Sequence, residues 1–532
     1  MYPLVSLEYS VTTGNHTIKA LGLAEKITRQ FSSFSAQRFD LLSVNIPEIF
    51  IGSTDQATNN GSSGADIGRT SYVGRLNYRY KDRYLLEATF RADGNVLFAP
   101  ETRWGYFPSI SAGWVLSEES FLNSVDGLEL LKIRISYSRL GDDSANGLSG
   151  FDYLTGYGLT NGYLLGNSEY QPSIQTLGLV NPFLTWEEIT MYNFGIEAEL
   201  WKGKLGIEAD VFYRKREGLL GPNIADIPST FGASLPLVNL DSRDNRGFEL
   251  ALNYKDNIGP FSINLAPNFT FARAKWIDVK SQEDFEDPDQ RRINELDGQW
   301  VNRNFGYLSD GIFMSQSEIE AHNVIQDGND NSTLRPGDIR YIDRDGDGVL
   351  TFRDQDIIGY AQGLPELMYG VDIGISYGNF RLNTLFQGAS RFAINISGAA
   401  RAMFSNTSTP LSYQYDYRWQ PDPNNPGVNI NPNAQLPAAT QAPGSNNGLL
   451  SDFWWKNASY LRIKNLNLSY KLPKNIIRGV QNAQVYVASE NLTTWTNLGI
   501  YADSFDPEFQ PGQPSRTYPI TRTFTLGLNV TF

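Results

Sequence analysis

Residues 523–532 read TFTLGLNVTF. Phe524, Leu526, Leu528, Val530 and Phe532 fall on one side of a strand, and Thr523, Thr525, Gly527, Asn529 and Thr531 on the other. Successive side chains of a strand point in opposite directions, so strict alternation marks a strand whose two faces meet different surroundings. Two architectures satisfy that pattern. In a soluble sandwich the apolar face packs on a second sheet. In a transmembrane barrel it faces lipid, and a last strand ending on an aromatic such as Phe532 is typical of such barrels.

Composition narrows the choice. The 532 residues include no cysteine, which leaves no disulfide framework and no thiolate metal site. His16 and His322 are the two histidines, little material for histidine catalysis or zinc chemistry. The 28 Tyr and 30 Phe suit aromatic girdles at a membrane interface. A net charge of -14 and a pI near 4.8 argue against nucleic-acid binding, which needs a basic face. Mean hydropathy is -0.35, and no apolar run approaches the roughly 18 residues of a membrane helix. Barrel strands need only about 9–11 alternating residues, so a membrane protein stays open. The opening MYPLVSLEYSV lacks a basic segment followed by an apolar one, so no signal peptide is visible. It reads as a strand already under way, and the expectation is a piece of a longer protein or the product of a truncated frame.

Alternation recurs along the chain. Tyr72, Leu76, Tyr78 and Tyr80 oppose Val73, Arg75, Asn77 and Arg79, and Leu131, Ile133, Ile135 and Tyr137 oppose Lys132, Arg134, Ser136 and Ser138. Strands are predicted near 3–11, 15–23, 71–80, 83–92, 105–116, 128–139, 184–200, 204–214, 245–255, 259–272, 366–377, 379–389, 457–472, 481–492 and 519–532. Tight links at Lys81-Asp82, Trp201 to Lys204, Asp256 to Gly259 and Gly378-Asn379 alternate with long ones at 24–70, 140–183, 215–244, 273–365, 390–456 and 493–518. Short periplasmic turns and long extracellular loops alternate in this way around a barrel, whereas compact soluble domains rarely carry such loops. The fold class read from the pattern is all-β: an antiparallel transmembrane β-barrel spanning residues 1–532. Ser117 to Asn123 suggests a short helical start, and Leu472 to Gln481 a helical turn after Pro473. Leu461 and Ile463 share one phase and Leu466, Leu468 and Tyr470 the other, which places a bulge near Lys464-Asn465.

Several blocks in order resemble the C-terminal part of the SusC/RagA-type TonB-linked outer-membrane transporters, from about Ser71 to Phe532. They are SYVGRLNYRYKDRYLLEATFRADGN (71–95), RWGYFPSISAGW (103–114), LKIRISYSRLG (131–141), PGDIRYIDRDGDGVLTFRDQDIIG (336–359), MYGVDIGISYGNFRLNTLFQG (368–388) and DFWWKNASYLRIKNLNLSYKLP (452–473). The resemblance implies a plugged barrel in the outer membrane of a Gram-negative cell, energised through TonB and paired with a SusD-like surface lipoprotein. Its cargo would be an oligosaccharide or a peptide. Plugged transporters of this kind have about 22 strands, so about 15 of about 22 are expected here, with the plug domain absent from 1–532.

The sharpest local motif lies in the long extracellular loop expected at 273–365. Asp343, Asp345 and Asp347 occupy positions 1, 3 and 5 of a calcium-loop pattern, with Gly348 at 6, the Val349 carbonyl at 7, Thr351 at 9 and Asp354 at 12. Hard oxygen ligands at that spacing can wrap calcium; the alternative is an Asx-rich turn bonding its own backbone without metal. Asp354 replaces the usual Glu and reaches less far. The run Glu283 to Asp289 and the stretch Gln326 to Asn331 read first as a solvated loop and a turn cluster.

Trp300, Tyr307, Trp419, Trp454 and Trp495 could stack on sugars or a lid protein, or sit in the girdle; the girdle is favoured for Trp454 and Trp455. Arg75, Arg79, Glu87, Lys132 and Arg134 are lumen charges that either guide a polar solute or satisfy one another. No GxSxG, HExxH or phosphate-binding glycine loop stands out, so the chain reads as non-enzymatic. Three functions stay open: the barrel of a nutrient importer; a passive porin, surface-binding barrel or non-functional truncated fragment; and a soluble calcium-dependent β-protein.

Overall fold

The computed structural model describes residues 3–30, 32–43, 45–46, 48–55, 57–63, 67–122, 124–143, 151–160, 162, 164–165, 169–170, 173–176, 178–222, 233, 235–404, 409–440, 446–473, 479–509, 518 and 520–532. Fifteen strands pair in chain order into one antiparallel sheet. They are β1 (Leu4–Thr13), β2 (His16–Arg29), β3 (Ile67–Tyr80), β4 (Tyr84–Asn95), β5 (Trp104–Val115), β6 (Leu128–Asp142), β7 (Glu187–Leu200), β8 (Leu205–Pro222), β9 (Leu237–Ile258), β10 (Phe261–Asp278), β11 (Leu367–Tyr377), β12 (Phe380–Ser390), β13 (Tyr460–Lys471), β14 (Asn482–Thr496) and β15 (Thr523–Thr531). Each strand bonds to its neighbours in sequence, so the wall is an uninterrupted meander with β1 and β15 at its edges. All fifteen predicted strands are present.

The links alternate as expected. One rim carries the links 14–15, 81–83, 116–127, 201–204, 259–260, 378–379 and 472–481; the other carries 30–66, 96–103, 143–186, 223–236, 279–366, 391–459 and 497–522. Between β3 and β4, Lys81 and Asp82 have φ of 53° and 57°. Positive φ at both central residues matches the right-handed strand twist in a tight hairpin. The start of the 116–127 link is a 3-10 turn at Leu116–Glu118 rather than an α-helix. The helical turn expected after Pro473 falls mainly on 474–478, outside the described residues.

The two faces of the wall differ in chemistry. Ile135, Phe194, Val211 and Phe248 stand side by side across β6 to β9 in register, and are 55%, 45%, 59% and 43% exposed. One position along, the opposite face holds ion pairs: Lys132 Nζ lies 3.2 Å from Glu197, Arg134 Nε 3.1 Å from Glu197, and Arg134 Nη2 2.5 Å from Asp210. An exposed apolar row backed by paired charges is the inside-out arrangement of a barrel with a wet lumen and a lipid-facing exterior. Paired aromatics border the apolar band. Towards the long-loop rim, Tyr72 meets Trp104 at 6.1 Å and Phe248 meets Phe271 at 5.9 Å; towards the short-turn rim, Tyr84 meets Trp114 at 6.2 Å and Phe261 meets Tyr377 at 4.8 Å. Trp104 and Trp114 share β5, as Phe261 and Phe271 share β10. A separation of about ten residues is ~33 Å of strand, or ~25 Å of height at a tilt of about 40°, the thickness of the apolar band.

Several strands run further than alternation predicted. Those expected at 15–23, 204–214, 245–255 and 259–272 are His16–Arg29, Leu205–Pro222, Leu237–Ile258 and Phe261–Asp278. The link expected at 215–244 accordingly shrinks to 223–236. Above the aromatic row neither face meets lipid, so alternation ceases while the backbone ladder continues. Charges there pair instead: Arg216 reaches Asp142 at 2.6 Å and Glu187 at 2.5 Å, and Lys215 reaches Glu217 at 2.7 Å. The predicted bulge is present. Lys464 is skipped between Ile463 and Asn465, opposite a break on β14 where Asn491 has φ of 51°.

The face assignment predicts a contrast between adjacent positions. Ile135→Arg puts a charge on the lipid side and is expected to cost about 2–4 kcal/mol. Ser136→Arg, one residue along on the lumen side, should cost within about 1 kcal/mol. Urea titrations of folding into phospholipid bilayers measure both, and equal costs would reverse the assignment.

Candidate functional site

The described parts of the long links 279–366, 391–459 and 497–522 fold on one another into a cap with its own core. Ile339, Ile394 and Ile396 are fully buried there, beside Tyr341, Trp419, Leu498 and Tyr501. Burying each such side chain contributes about 1.5–3 kcal/mol, enough in sum to order long loops. This corrects the girdle reading of Trp454 and Trp455, which are 4% and 6% exposed within the cap. Trp454 Nε1 donates to the Asn447 carbonyl at 3.0 Å. Trp419 is also buried, its Nε1 donating to the Met314 carbonyl at 3.1 Å, so neither glycan stacking nor the girdle describes it. Tyr307 packs on the same core, 5.8 Å from Tyr341. Trp495 lies on the outward side of β14 at 52% exposure, as a girdle residue should.

A buried cation fastens the cap to the wall. Arg462, on the lumen side of β13, is fully buried. Its Nη1 donates to Glu508 at 2.5 Å, its Nε to Thr494 Oγ1 at 2.8 Å, and its Nη2 pairs with Asp506. The Tyr460 hydroxyl also donates to Glu508, and Gln387 Nε2 does so at 3.1 Å. These bonds draw the Tyr501–Phe509 stretch against the inner wall. A buried ion pair adds little net stability, but removing one partner strands the other, so it chiefly fixes position. Nothing local in the sequence marks Arg462, because its carboxylates come from a separate link.

The predicted lumen charges share one wall. Arg75, Arg79, Glu87, Lys132 and Arg134 line a concavity of about 690 Å³ together with Lys19. Lys132 and Arg134 are neutralised by Glu197 and Asp210, and Arg79 turns to Asp82 at 2.8 Å.

The calcium-loop pattern sits on the cap. Asp343 Oδ1 accepts from the Gly346 amide at 2.7 Å and Oδ2 from Gly348 at 2.8 Å. Asp345 accepts from Asp347 N at 3.1 Å, and Asp347 from Val349 N at 2.8 Å. Asp354, fully buried, accepts from Arg344 N and Thr351 N, both at 2.7 Å. Gly346 and Gly348 have φ of 78° and 85°, the left-handed backbone that turns these amides inward. Carboxylate oxygens of Asp343, Asp345 and Asp354 thereby come within 4.8 Å of one another. Asp347 stands outside that group, and Thr351 serves instead as the cap of the 3-10 turn Phe352–Asp354. Burial works against the Asp343 charge, but the amides of Gly348 and Gly346 outweigh it and hold the carboxyl below the ordinary aspartate range. Asp345 accepts from the Asp347 amide, yet desolvation and the charges of Asp347, Asp354 and Asp343 push it above that range. The donor set fits a hard cation, and the same bonds form an Asx ladder.

The neighbouring acids have mixed roles. Asp287, expected in a solvated run, caps the helix Pro288–Asn294 and pairs with Arg353 at 3.1 Å. Asp327 gathers the amides of Asn329 and Asn331 at 2.8 Å, the turn cluster expected.

Loss of the Arg462 contacts should loosen the cap. Arg462→Met is expected to cost on the order of 3 kcal/mol and to speed protease cleavage within 499–509. Arg462→Lys should fall between it and the parent. Limited proteolysis of the folded barrel reads this, and unchanged cleavage would show that apolar packing alone holds the segment.

The model of the family described as TonB dependent receptor-like, beta-barrel matches residues 6–492. TonB-dependent receptor P26 of Formosa agariphila is 29% identical over 99% of this chain and 52% of its own length. TonB-dependent receptor SusC of Bacteroides thetaiotaomicron is 26% identical over 87% of this chain and 43% of its own length. The structure of the RagAB peptide transporter aligns with a TM-score of 0.72 at 19% identity, covering 100% of this chain and 55% of that one. The chain spans about half the length of the curated relatives it matches.

Proposed function

This chain belongs to the TonB-dependent receptor-like β-barrel family of Gram-negative outer membranes, and we propose that it forms the wall and cap of a nutrient importer of SusC/RagA type. The observation that carries this reading is the conjunction of a charge-lined inner wall with a folded cap fastened to it through Arg462. A solute captured at the cap would pass along paired lumen charges, which solvate a polar cargo without holding one sign of charge. The cargo is an oligosaccharide or a peptide, in keeping with the relatives named for SusC and for peptide transport. Energisation through TonB and gating by a plug belong to the part of such proteins that precedes the barrel. The protein acts as a carrier and performs no catalysis.

A SusD-like lipoprotein is the proposed lid. Met314, Val428 and Ile430 lie together on the cap and are 37%, 45% and 46% exposed, an apolar patch suited to a partner. Uptake of labelled oligosaccharides and oligopeptides by the parent cells tests the transport reading. Deleting the gene, or the cell's TonB, should abolish uptake of one class. Uptake that survives loss of TonB would point to a passive porin instead, and uptake that survives deletion of the gene would refute transport.

We propose further that Asp343, Asp345 and Asp354 hold calcium, which ties the loop Asp343–Asp354 to the cap. An ion there would relieve the mutual repulsion of the three carboxylates. Millimolar calcium should raise the thermal midpoint of the purified protein more than magnesium does, and Asp343→Asn with Asp345→Asn should abolish the difference. Equal midpoints with calcium and with chelator would leave the Asx ladder as the sole role.

A further inference from the structure

The outer side of β9 and β10 carries a cationic cluster with no part in the lumen. Residues 299–301 pair alongside β10: Trp276 N donates to the Gln299 carbonyl at 2.8 Å and Val301 N to Ala274 at 2.9 Å. Trp300 therefore lies opposite Lys275, and opposed residues of an antiparallel pair share a face. That face is the one bearing Phe271 and Phe248, because Arg273 and Lys275 follow Phe271 at intervals of two. Arg273 stands 4.0 Å from the Trp300 ring centre, and Arg246 and Lys275 each stand 5.9 Å from it.

Close to Trp300 the exposed charge is cationic; the exposed carboxylates of Glu217 and Asp278, farther along the same strands, pair with Lys215 and Lys280. Glu366 lies 2.9 Å from both Arg273 and Arg391, and Asp244 pairs with Arg246. The two carboxylates are buried, at 6% and 1% exposure, whereas the side chains of Arg391 and Arg246 stay 50% and 43% exposed. Four cations against two covered carboxylates leave an excess of positive charge, in a protein whose net charge is -14.

Height singles out the occupant. Arg246 and Arg273 stand opposite each other, two residues beyond the Phe248–Phe271 pair, ~7 Å along the strands. They lie just outside the apolar band, in the headgroup layer beside the long-loop rim. Guanidinium groups match phosphate oxygens two at a time, and they bind phosphate at a membrane surface far better than they tolerate hydrocarbon.

We propose that Arg246, Lys275 and Arg391, grouped about Trp300 and the largely covered Arg273, bind a phosphorylated lipid headgroup of the outer leaflet. The proposal rests on the family reading, which turns the long-loop rim outward. The site would anchor the wall beside the cap at a defined depth and order the 299–301 segment on β10.

Binding of diphosphorylated lipid A to the purified full-length protein, followed by native mass spectrometry, tests it. Dephosphorylated lipid A and phosphatidylethanolamine are the comparison lipids. The protein should retain the phosphorylated lipid through detergent exchange and release the other two. Arg246→Gln with Lys275→Gln should weaken retention roughly tenfold or more. Lys275→Gln alone, which leaves every ion pair in place, should weaken it by a smaller factor and guards against a folding defect. Lys132→Gln on the inner wall should leave it unchanged. Equal retention of the dephosphorylated lipid, undiminished retention by both outer variants, or equal loss in the Lys132 variant would each overturn the proposal. Full displacement by millimolar inorganic phosphate would mark a general anion site and overturn the lipid assignment, while phosphate tracing to the lipid alone supports it. A fold check by heat-modifiable gel migration accompanies each variant.

Discussion

An amide or carbonyl left without a partner in hydrocarbon costs several kcal/mol, and that constraint governs this molecule. It forces each strand to bond to the next, which produces the unbroken order β1 to β15. Once the backbone is satisfied laterally, side chains have two directions only, lipid or lumen. The apolar row through Ile135, Phe194, Val211 and Phe248, and the ion pairs of Lys132 and Arg134 behind it, are the two outcomes of one alternation. The aromatic rows at Trp104 and Trp114 mark where that regime ends.

Outside those rows a different physics takes over. Water is available to backbone groups, so loops become possible and must be ordered by other means. The cap uses apolar burial around Ile339, Ile394, Ile396 and Trp454, and it fixes its position on the wall through the charges on Arg462, Asp506 and Glu508. The acidic loop uses neither. Its carboxylates are aimed by the amides of Gly346 and Gly348 and by the buried Asp354. On the outer surface, the same transition from lipid to water places Arg246 and Arg273 one step beyond Phe248 and Phe271.

What could be read from the sequence follows the same division. Within the band, alternation located every strand, and the change of phase at Lys464 located a bulge that the pairing contains. Beyond the band, Leu237 to Asp244 and Lys215 to Pro222 continue as strands without alternation, since both faces are wet there. Trp454 and Trp455 were misplaced for a related reason: adjacency to a strand looks the same whether the residue meets headgroups or a folded cap. Of the acidic pattern, the carboxylates of Asp343, Asp345 and Asp354 come together, while Asp347 stands apart and Thr351 caps a turn. The Arg462 contacts were invisible, since they join a residue of β13 to carboxylates of the separate 497–522 link.

The chain contains no cysteine, which makes the central alternation directly measurable. Single cysteines placed in turn at residues 132–138 of β6, in protein reconstituted into vesicles, can be treated with a membrane-impermeant thiol reagent. Labelling should alternate, with Lys132, Arg134, Ser136 and Ser138 positions reactive from the lumen and Ile133, Ile135 and Tyr137 positions shielded by lipid. Uniform labelling, or labelling of the Ile133, Ile135 and Tyr137 set alone, would contradict a barrel wall with its apolar face in the membrane.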